Sequence, residues 1–496
     1  MRLRGFTLHL SSDERIPLFR RVAQAIVHAI RQGRILPGQA LPGTRALADQ
    51  LGVSRPTVIQ AIQELEAEGW LLTEPSRGTF VPDQLPETGT PNPVFRQASS
   101  SERCTAEEPG FDLPSHLKPL TRVDAAAIDL SEGIPDSGLA PTEALGKAYQ
   151  RALRRHGSEL LQGGEPVGQS LLREELAAWF SERQGLSVHK DQILVTRGTR
   201  AALTLIALSL LREGDAVAVE NPGNRSAWET LQHSVLVDLV PIPVDGQGMV
   251  VDSLEATLKT REIRAILTTP KRQLPTTVPL EASRRRRLLD IAAAHRIPII
   301  EDDHDAEYGF TDQPLPPLAA EDGRGQVIYT ASLGRLLAPG VRLGCIVGPP
   351  VLVDRLARVQ RNLEAQGDHV MEWAAAELIR DGDLARHLRK ARKIYEGRMR
   401  FLLDQLQSRL DGALVAAPPP GGLALWVRFQ DGEDPSAWID AMRVRGLVLR
   451  RPEYFFLGEA QPFTRMGFAQ ATEEVLEEAV SRMIRAKEDL NRKGVR

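Results

Sequence analysis

The stretch LPGTRALADQLGVSRPTVIQAIQELEAEGWLLTEPSRGTFV (residues 41–81) decides how the front of this chain folds. Thr44 stands where a hydroxyl can cap ALADQLG. Ser54 stands where one can cap RPTVIQAIQELEAEG, with Pro56 tolerated in the first turn because an N–H there has no helical partner. Upstream, Pro17 opens a periodic apolar stretch to Ile30 that Gly33 and Pro37 end. Downstream, Trp70–Thr73 and Gly78–Val81 read as two short strands around a turn at residues 74–77. Three helices followed by a hairpin give the outline of a winged helix-turn-helix.

In such a unit the second helix of the pair enters the major groove, its first turn reads base edges, and flanking groups grip phosphates. That assigns base reading to Ser54, Arg55 and Thr57. It assigns backbone or minor-groove contacts to Arg45 on the preceding helix and to Arg77 beside Gly78 in the wing. Residues 1–82 hold ten Arg, no Lys and seven Asp or Glu, while the whole chain carries −3, so attraction to a polyanion is local. Glu64, Glu66 and Glu68, late in the third helix, are expected to face solvent away from DNA. LADQLGVSRPTV resembles the GntR family of bacterial regulators, and the likeness covers residues 15–82. It implies double-stranded operator DNA as a partner.

At 496 residues, 42% apolar and 26% charged, the chain has the make-up of a multidomain globular protein. Cys104 and Cys345 are too few for a disulfide framework or a cysteine zinc site, and a reducing cytoplasm fits them. The longest apolar run, Ala202–Leu211, is half a membrane span and contains Thr204 and Ser209; the first 15 residues lack the hydrophobic region of a signal peptide. No membrane role is expected. From Asp83 to Leu120 six prolines and the serines at 99–101 replace hydrophobic periodicity, which reads as a linker. Beyond it ILVT (193–196), AVAVE (216–220), RAILTT (264–269), IPII (297–300) and QVIY (326–329) alternate with helical stretches, the pattern of an α/β domain with a largely parallel sheet. No internal repeat is evident.

The segment VIYTASLGRLLAPGVRLGCIVG (Val327–Gly348) resembles the frame in which pyridoxal-phosphate enzymes of the aspartate-aminotransferase kind carry their Schiff-base lysine, but the residue at that position is Arg335. Imine formation needs a neutral amine; a guanidinium stays protonated with its lone pair delocalised. A GntR reader joined by a linker to such a domain resembles the MocR subfamily, over about residues 125–485. The resemblance implies a multidomain chain: an α+β winged helix-turn-helix (1–82), a linker (83–122), and an α/β/α fold-type-I transferase-like large domain (123–370) with a smaller α+β C-terminal subdomain (371–496). It also implies a homodimer.

Residue by residue, the resemblance places Gly198 and Thr199 of TRGTRAAL, Ser332 and Arg342 around a cofactor phosphate, Asp302 at the pyridine nitrogen, His304 where a tyrosine is usual, and Arg465 of FTRMGFA on a substrate carboxylate. Other positions depart from it. Lys271 and Arg272 replace a small polar pair, Thr277 replaces a glycine, Asn224 a stacking aromatic, Gly163 a tyrosine, and Ala424 a histidine. The acidic run Glu301–Glu307 with one histidine also admits a metal reading, though without a matched ligand partner. The expectation is no metal. Lys271, past a strand end, is the one candidate to replace the lost amine, since none of the other eight lysines stands near a site motif. The run Arg284–Arg287 is expected on a solvated face.

The resulting expectation is a GntR/MocR-type transcriptional regulator whose large domain dimerises and senses a small anionic or amino-acid-like effector. Pyridoxal phosphate, where it binds, is then held noncovalently unless Lys271 substitutes. The rival is an aminotransferase-like enzyme using Lys271, with an appended DNA-binding domain; a third reading makes the large domain a structural dimeriser only.

Overall fold

The computed structural model describes residues 10, 16–74, 78–83, 85, 126–305, 307–311 and 315–494. Arg77, Cys104 and nearly all of the expected linker lie outside the described residues. The chain divides into two compact units, residues 1–119 and 120–496.

In the front unit, α1 (Leu18–Arg31), α2 (Thr44–Leu51) and α3 (Arg55–Ala67) close around Val22, Ile26, Leu47, Val58, Ile62 and Leu65, and a hairpin of β1 (Leu72–Glu74) and β2 (Gly78–Phe80) follows. Ser54 caps α3 as expected, its Oγ accepting from the Thr57 N–H at 3.3 Å. Thr44 is not a cap. It is the first residue of α2, and its hydroxyl accepts from Arg55 Nε at 3.3 Å, so it ties the two helices together. Gly52 takes the left-handed conformation (φ 62°) that turns the chain from α2 towards α3. The first strand begins later than expected because Trp70 and Leu71 are buried in the core ahead of the hairpin. Of the three late glutamates only Glu68 is exposed; Glu64 and Glu66 are half-buried, and Glu64 lies 3.3 Å from Arg20 of α1.

The rear unit is built on an eight-stranded sheet. In chain order the strands of this unit are β3 (Ile128–Asp129), β4 (Ile193–Thr196), β5 (Ala216–Asn221), β6 (Asp238–Asp245), β7 (Gly248–Met249), β8 (Ala265–Thr268), β9 (Ile299–Asp303), β10 (Val327–Ser332), β11 (Gly344–Val347), β12 (Leu414–Ala416), β13 (Ala424–Phe429), β14 (Leu447–Val448) and β15 (Phe463–Gly467). The large sheet runs β4-β11-β10-β9-β8-β5-β6-β7, and its central pairs from β10 to β6 are parallel. All five apolar runs read from the sequence lie in it. Their unbroken apolarity follows from burial on both faces: Leu194, Ile328 and Ile346 pack to one side, Val195, Tyr329 and Cys345 to the other. The antiparallel β11, wedged between β10 and β4, was not foreseen.

A smaller antiparallel sheet, β12-β13-β15, lies in the C-terminal part, and β3 pairs in parallel with β14. The C-terminal layer is therefore completed by the first described strand of this unit, from before the large sheet. Helices α4 (Thr142–Leu160), α5 (Ser170–Gln184), α6 (Thr199–Leu210) and α7 (Arg225–Val235) are the first of those around the large sheet. The arginine run of helix Ala282–His295 is a solvated face only in part: Arg286 and Arg287 are exposed, Arg284 and Arg285 are not. Arg285 is buried with Glu321 at 2.7 Å, Arg284 pairs with Asp245 at 2.6 Å, and Arg287 pairs with Asp252 and Glu255; Arg286 alone of the four has no ion pair among the described residues. Those charges join the helix to its neighbours.

Candidate functional site

In the front unit, the residues expected to meet DNA cluster where α2 meets α3. Arg45, Ser54 and Arg55 are exposed, Thr57 is half-buried, and the Ser54 and Thr57 hydroxyls lie 2.7 Å apart. Gly78 opens β2 at φ 101°, with open space where a Cβ would stand. The wing is held by Thr73 and Thr79, whose hydroxyls meet at 2.8 Å across the Leu72–Phe80 register.

In the rear unit, a pocket of about 460 Å³ opens at the carboxyl ends of the parallel strands, where α/β sheets place their ligands. Gly198, Thr199, Asp302, His304, Ser332, Arg335, Arg342 and Arg465 all line it. One end is a cup for an anion. Gly198, at φ 89°, precedes α6, whose first N–H groups have no helical acceptor, and Arg342 stands beside it. Gly344 permits this approach: a Cβ there would lie 2.9 Å from the Gly198 Cα and from the Ala331 oxygen.

The pocket floor comes from β9, and alternation along it separates three consecutive acids. Glu301 turns away and accepts from the Leu318 and Ala319 N–H groups at 2.7 and 2.9 Å; burial lifts its carboxyl to about 7. Asp303 also turns away, accepting from the Tyr329 hydroxyl at 3.0 Å. Asp302 faces the pocket, and burial lifts its carboxyl to about 6 against the pull of Arg335. Asn224 donates to Asp302 Oδ2 at 3.3 Å while its own Oδ1 caps α7.

The far wall is cationic. Arg335 and Arg465 each lie 3.7 Å from a different oxygen of buried Asp305, and Arg335 also donates to the Gly133 carbonyl. Burial pushes the Asp305 carboxyl up, but His304, Arg335, Arg465 and Arg272 outweigh it and hold it below the usual range. Burial lowers His304 to about 4, which leaves it neutral near pH 7 with Nε2 3.5 Å from Asp305. Two buried nitrogens on this wall, His304 Nδ1 and Arg465 Nε, have no hydrogen-bond partner.

The expectation that Lys271 lies on the pocket side is corrected. Its ammonium is buried 3.4 Å from Asp303, the acid that alternation turns away, and it does not line the pocket. No lysine is among the described pocket-lining residues. The loop carrying it is anchored by Glu220, which accepts from Thr268 Oγ1 at 2.6 Å and Thr269 Oγ1 at 2.8 Å. In that loop Thr277 holds φ 68°, a conformation that favours the glycine it replaces. Sequence reasoning missed Arg200, Arg225, Arg450, Glu132 and Asp305. Asp305 left a signal within the acidic run, Arg200 within TRGTRAAL and Arg225 next to Asn224, whereas Glu132 and Arg450 stand outside any motif.

For pyridoxal phosphate the fit is partial. The cup suits a phosphate and Asp302 suits a ring nitrogen, yet Asn224 already holds one Asp302 oxygen and no amine stands ready for the aldehyde carbon. Among the described residues, no three His, Cys, Asp or Glu side chains are grouped to hold a metal ion, and no helix is long and apolar enough to cross a membrane.

Residues 125–483 match the aminotransferase class I and II family. This chain belongs to that family. Residues 18–81 of the same aminotransferase-family protein match the gntR family of bacterial regulatory proteins, so a DNA-binding helix-turn-helix is fused to a fold-type-I domain. It is 30% identical over 476 residues to the probable rhizopine catabolism regulatory protein MocR of Rhizobium meliloti, covering 96% of this chain and 94% of that one. It is 26% identical to the transcriptional regulator TauR of Rhodobacter capsulatus, covering 94% and 96%. Among solved structures it is similar to the Pyrococcus horikoshii kynurenine aminotransferase, with a TM-score of 0.69 and 27% identity over 74% of this chain and 92% of that one. The fold expected from the sequence, a winged helix-turn-helix ahead of an α/β/α aminotransferase-like domain with a smaller α+β part, is the fold of this family member.

Proposed function

We propose that this protein is a homodimeric, cytoplasmic transcriptional regulator whose aminotransferase-family domain senses a small anionic or amino-acid-like molecule without imine chemistry. The observation that carries the reading is one chain holding a gntR-type reader and a pocket lined by six arginines and no lysine among its described residues. The position that resembles the family's Schiff-base lysine is Arg335, and its guanidinium is engaged with Asp305 and Gly133. Ser332, Arg342 and the start of α6 supply a phosphate seat, and Arg465 a carboxylate seat. Pyridoxal phosphate would bind there noncovalently. Two readers on a dimer would recognise paired half-sites, and a pocket occupant would bias their spacing through its differential affinity for the two arrangements.

The rival, an enzyme using Lys271, is disfavoured by the burial of that ammonium against Asp303. A titration of the full-length protein with pyridoxal phosphate, followed by borohydride reduction and peptide mapping, separates the two. The sensor reading expects no specific lysine adduct. A stable adduct on Lys271, with absorbance changes on adding an amino donor, would overturn it in favour of the enzyme. Operator affinity unmoved by every bound ligand would leave the large domain as a dimeriser only.

A further inference from the structure

The six pocket arginines, Arg200, Arg225, Arg335, Arg342, Arg450 and Arg465, have few anions to answer them. Arg225 lies 2.9 Å from Glu229, and Arg450 3.4 Å from Glu132. Arg335 and Arg465 share the single carboxylate of Asp305. Arg342 donates to the Arg197 carbonyl and, like Arg200, has no carboxylate partner among the described residues. With Asp302 counted as an anion, six guanidiniums face four carboxylates, and a cleft with low-dielectric walls focuses that excess.

The excess is divided between two places. Arg342 stands with Gly198, Thr199 and Ser332 at the cup. Arg465, 4% exposed with its Nε unpartnered, stands with His304 beside Asp305, where His304 Nδ1 is also unpartnered. Arg335 joins the two: its backbone N–H donates to Ser332 Oγ at 3.2 Å while its guanidinium reaches the Asp305 end. Arg465 Nε is a buried donor without an acceptor, costly unless a ligand satisfies it, whereas neutral His304, with Nε2 towards Asp305, leaves Nδ1 as an acceptor for a hydroxyl.

We propose that the pocket takes an open-chain molecule with a phosphate at one end and a carboxylate at the other, and that Arg335 is the residue that selects for the second charge. The phosphate sits at Gly198, Thr199, Ser332 and Arg342. The carboxylate takes the place of Asp305 as the acceptor for Arg335 and Arg465, and bidentate guanidinium geometry suits it. The inference rests on the sensor reading above and names its ligand class.

The test uses full-length protein and calorimetric titration with three six-carbon probes: 6-phosphogluconate, sorbitol 6-phosphate and gluconate. 6-Phosphogluconate is expected to bind at least tenfold tighter than either singly functional probe. Arg335→Gln is expected to weaken it at least tenfold while changing sorbitol 6-phosphate less than twofold, and Arg335→Lys, which keeps the charge, to stay within threefold of the wild type. Sorbitol 6-phosphate binding as tightly as 6-phosphogluconate, or R335Q binding 6-phosphogluconate as the wild type does, overturns the proposal. Should R335Q not fold by circular dichroism, the wild-type probe series and R335K still decide it. Fluorescence anisotropy on a duplex selected from random DNA separates the sensor reading. Tight 6-phosphogluconate binding with no change in DNA affinity upholds the ligand class and sinks the sensor. An equal DNA response to sorbitol 6-phosphate sinks the ligand class and upholds the sensor.

Discussion

Replacing Asp305 with asparagine removes one charge from between two cations while keeping its shape. Each guanidinium nitrogen lies 3.7 Å from an Asp305 oxygen. At an effective dielectric near 20 each contact is worth about 4–5 kcal/mol of Coulomb energy before desolvation is subtracted. Removing one partner of a buried pair typically costs about 3–5 kcal/mol, because the remaining charge stays buried. The lower end, about 3 kcal/mol, is expected here: the Arg335 side chain is 22% exposed and keeps the Gly133 carbonyl as an acceptor, whereas Arg465 at 5% has no such relief. Urea unfolding of the full-length protein, followed by tryptophan fluorescence, reads this out, since five of the six tryptophans (Trp179, Trp228, Trp373, Trp426, Trp438) belong to the rear unit. Because the Asp305 carboxyl is held below its ordinary range, its contribution is present above the unfolded carboxylate pKa and is lost as pH falls through the folded one. The gap between variant and wild type should close in strong acid. The variant should also bind 6-phosphogluconate more tightly, its carboxylate no longer competing with a resident one. A D305N protein within about 0.5 kcal/mol of wild type at pH 7 would refute the charge reasoning, since that is the scatter of substitutions that disturb no buried feature.

Arg55→Ala should cost roughly 1–3 kcal/mol on selected duplex DNA and little on random duplex, as for a lost bidentate contact to guanine; equal losses in competition anisotropy would mean that Arg55 grips phosphate only. Arg335→Lys should gain a borohydride-reducible adduct with pyridoxal phosphate at residue 335, detected by peptide mapping, because the cup and Asp302 are retained. No adduct would show that Asn224 and His304 have also closed the ring site. With its carboxyl lifted by burial to about 6, Asp302 contributes stability that is full below the unfolded carboxylate pKa and is lost as pH rises through 6. Asp302→Asn should therefore remove about 3 kcal/mol of the fall in stability between pH 4 and pH 7, and an unchanged pH slope would refute the burial argument.

The reader was legible because its signals are local. A cap at Ser54, a turn at Gly52 and the periodicity of three short helices lie within one stretch of chain. The strands of the large sheet were legible because burial on both faces leaves unbroken apolar runs, whereas the antiparallel β11 follows from a long-range pairing that no local pattern carries. Single residues of the pocket were reachable through resemblance, as with Ser332, Arg342 and Arg465. Lys271 shows the limit of that reasoning: its place past a strand end suggested the pocket side, but the direction of its side chain is set by Asp303, across the sheet from Asp302. Within the arginine run at 284–287, Arg284 and Arg285 departed from the expected solvated face for the same reason, since their partners Asp245 and Glu321 are distant in sequence. The shared role of Asp305 between Arg335 and Arg465 joins residues 30 and 160 positions away, and only the fold brings them together.

The pairing of Ile128–Asp129 with Leu447–Val448 bears on where this protein can be cut. Ser131, Glu132 and Ile134, just beyond that strand, form part of the pocket wall, and Gly133 fits so tightly that a Cβ on it would lie 2.9 Å from the Arg465 guanidinium. A shortened protein that starts at the first long helix, Thr142, would discard one wall of its own binding cleft and unpair Leu447–Val448. The boundary for an excised sensor therefore falls ahead of Ile128, well before the point that helix periodicity alone would choose.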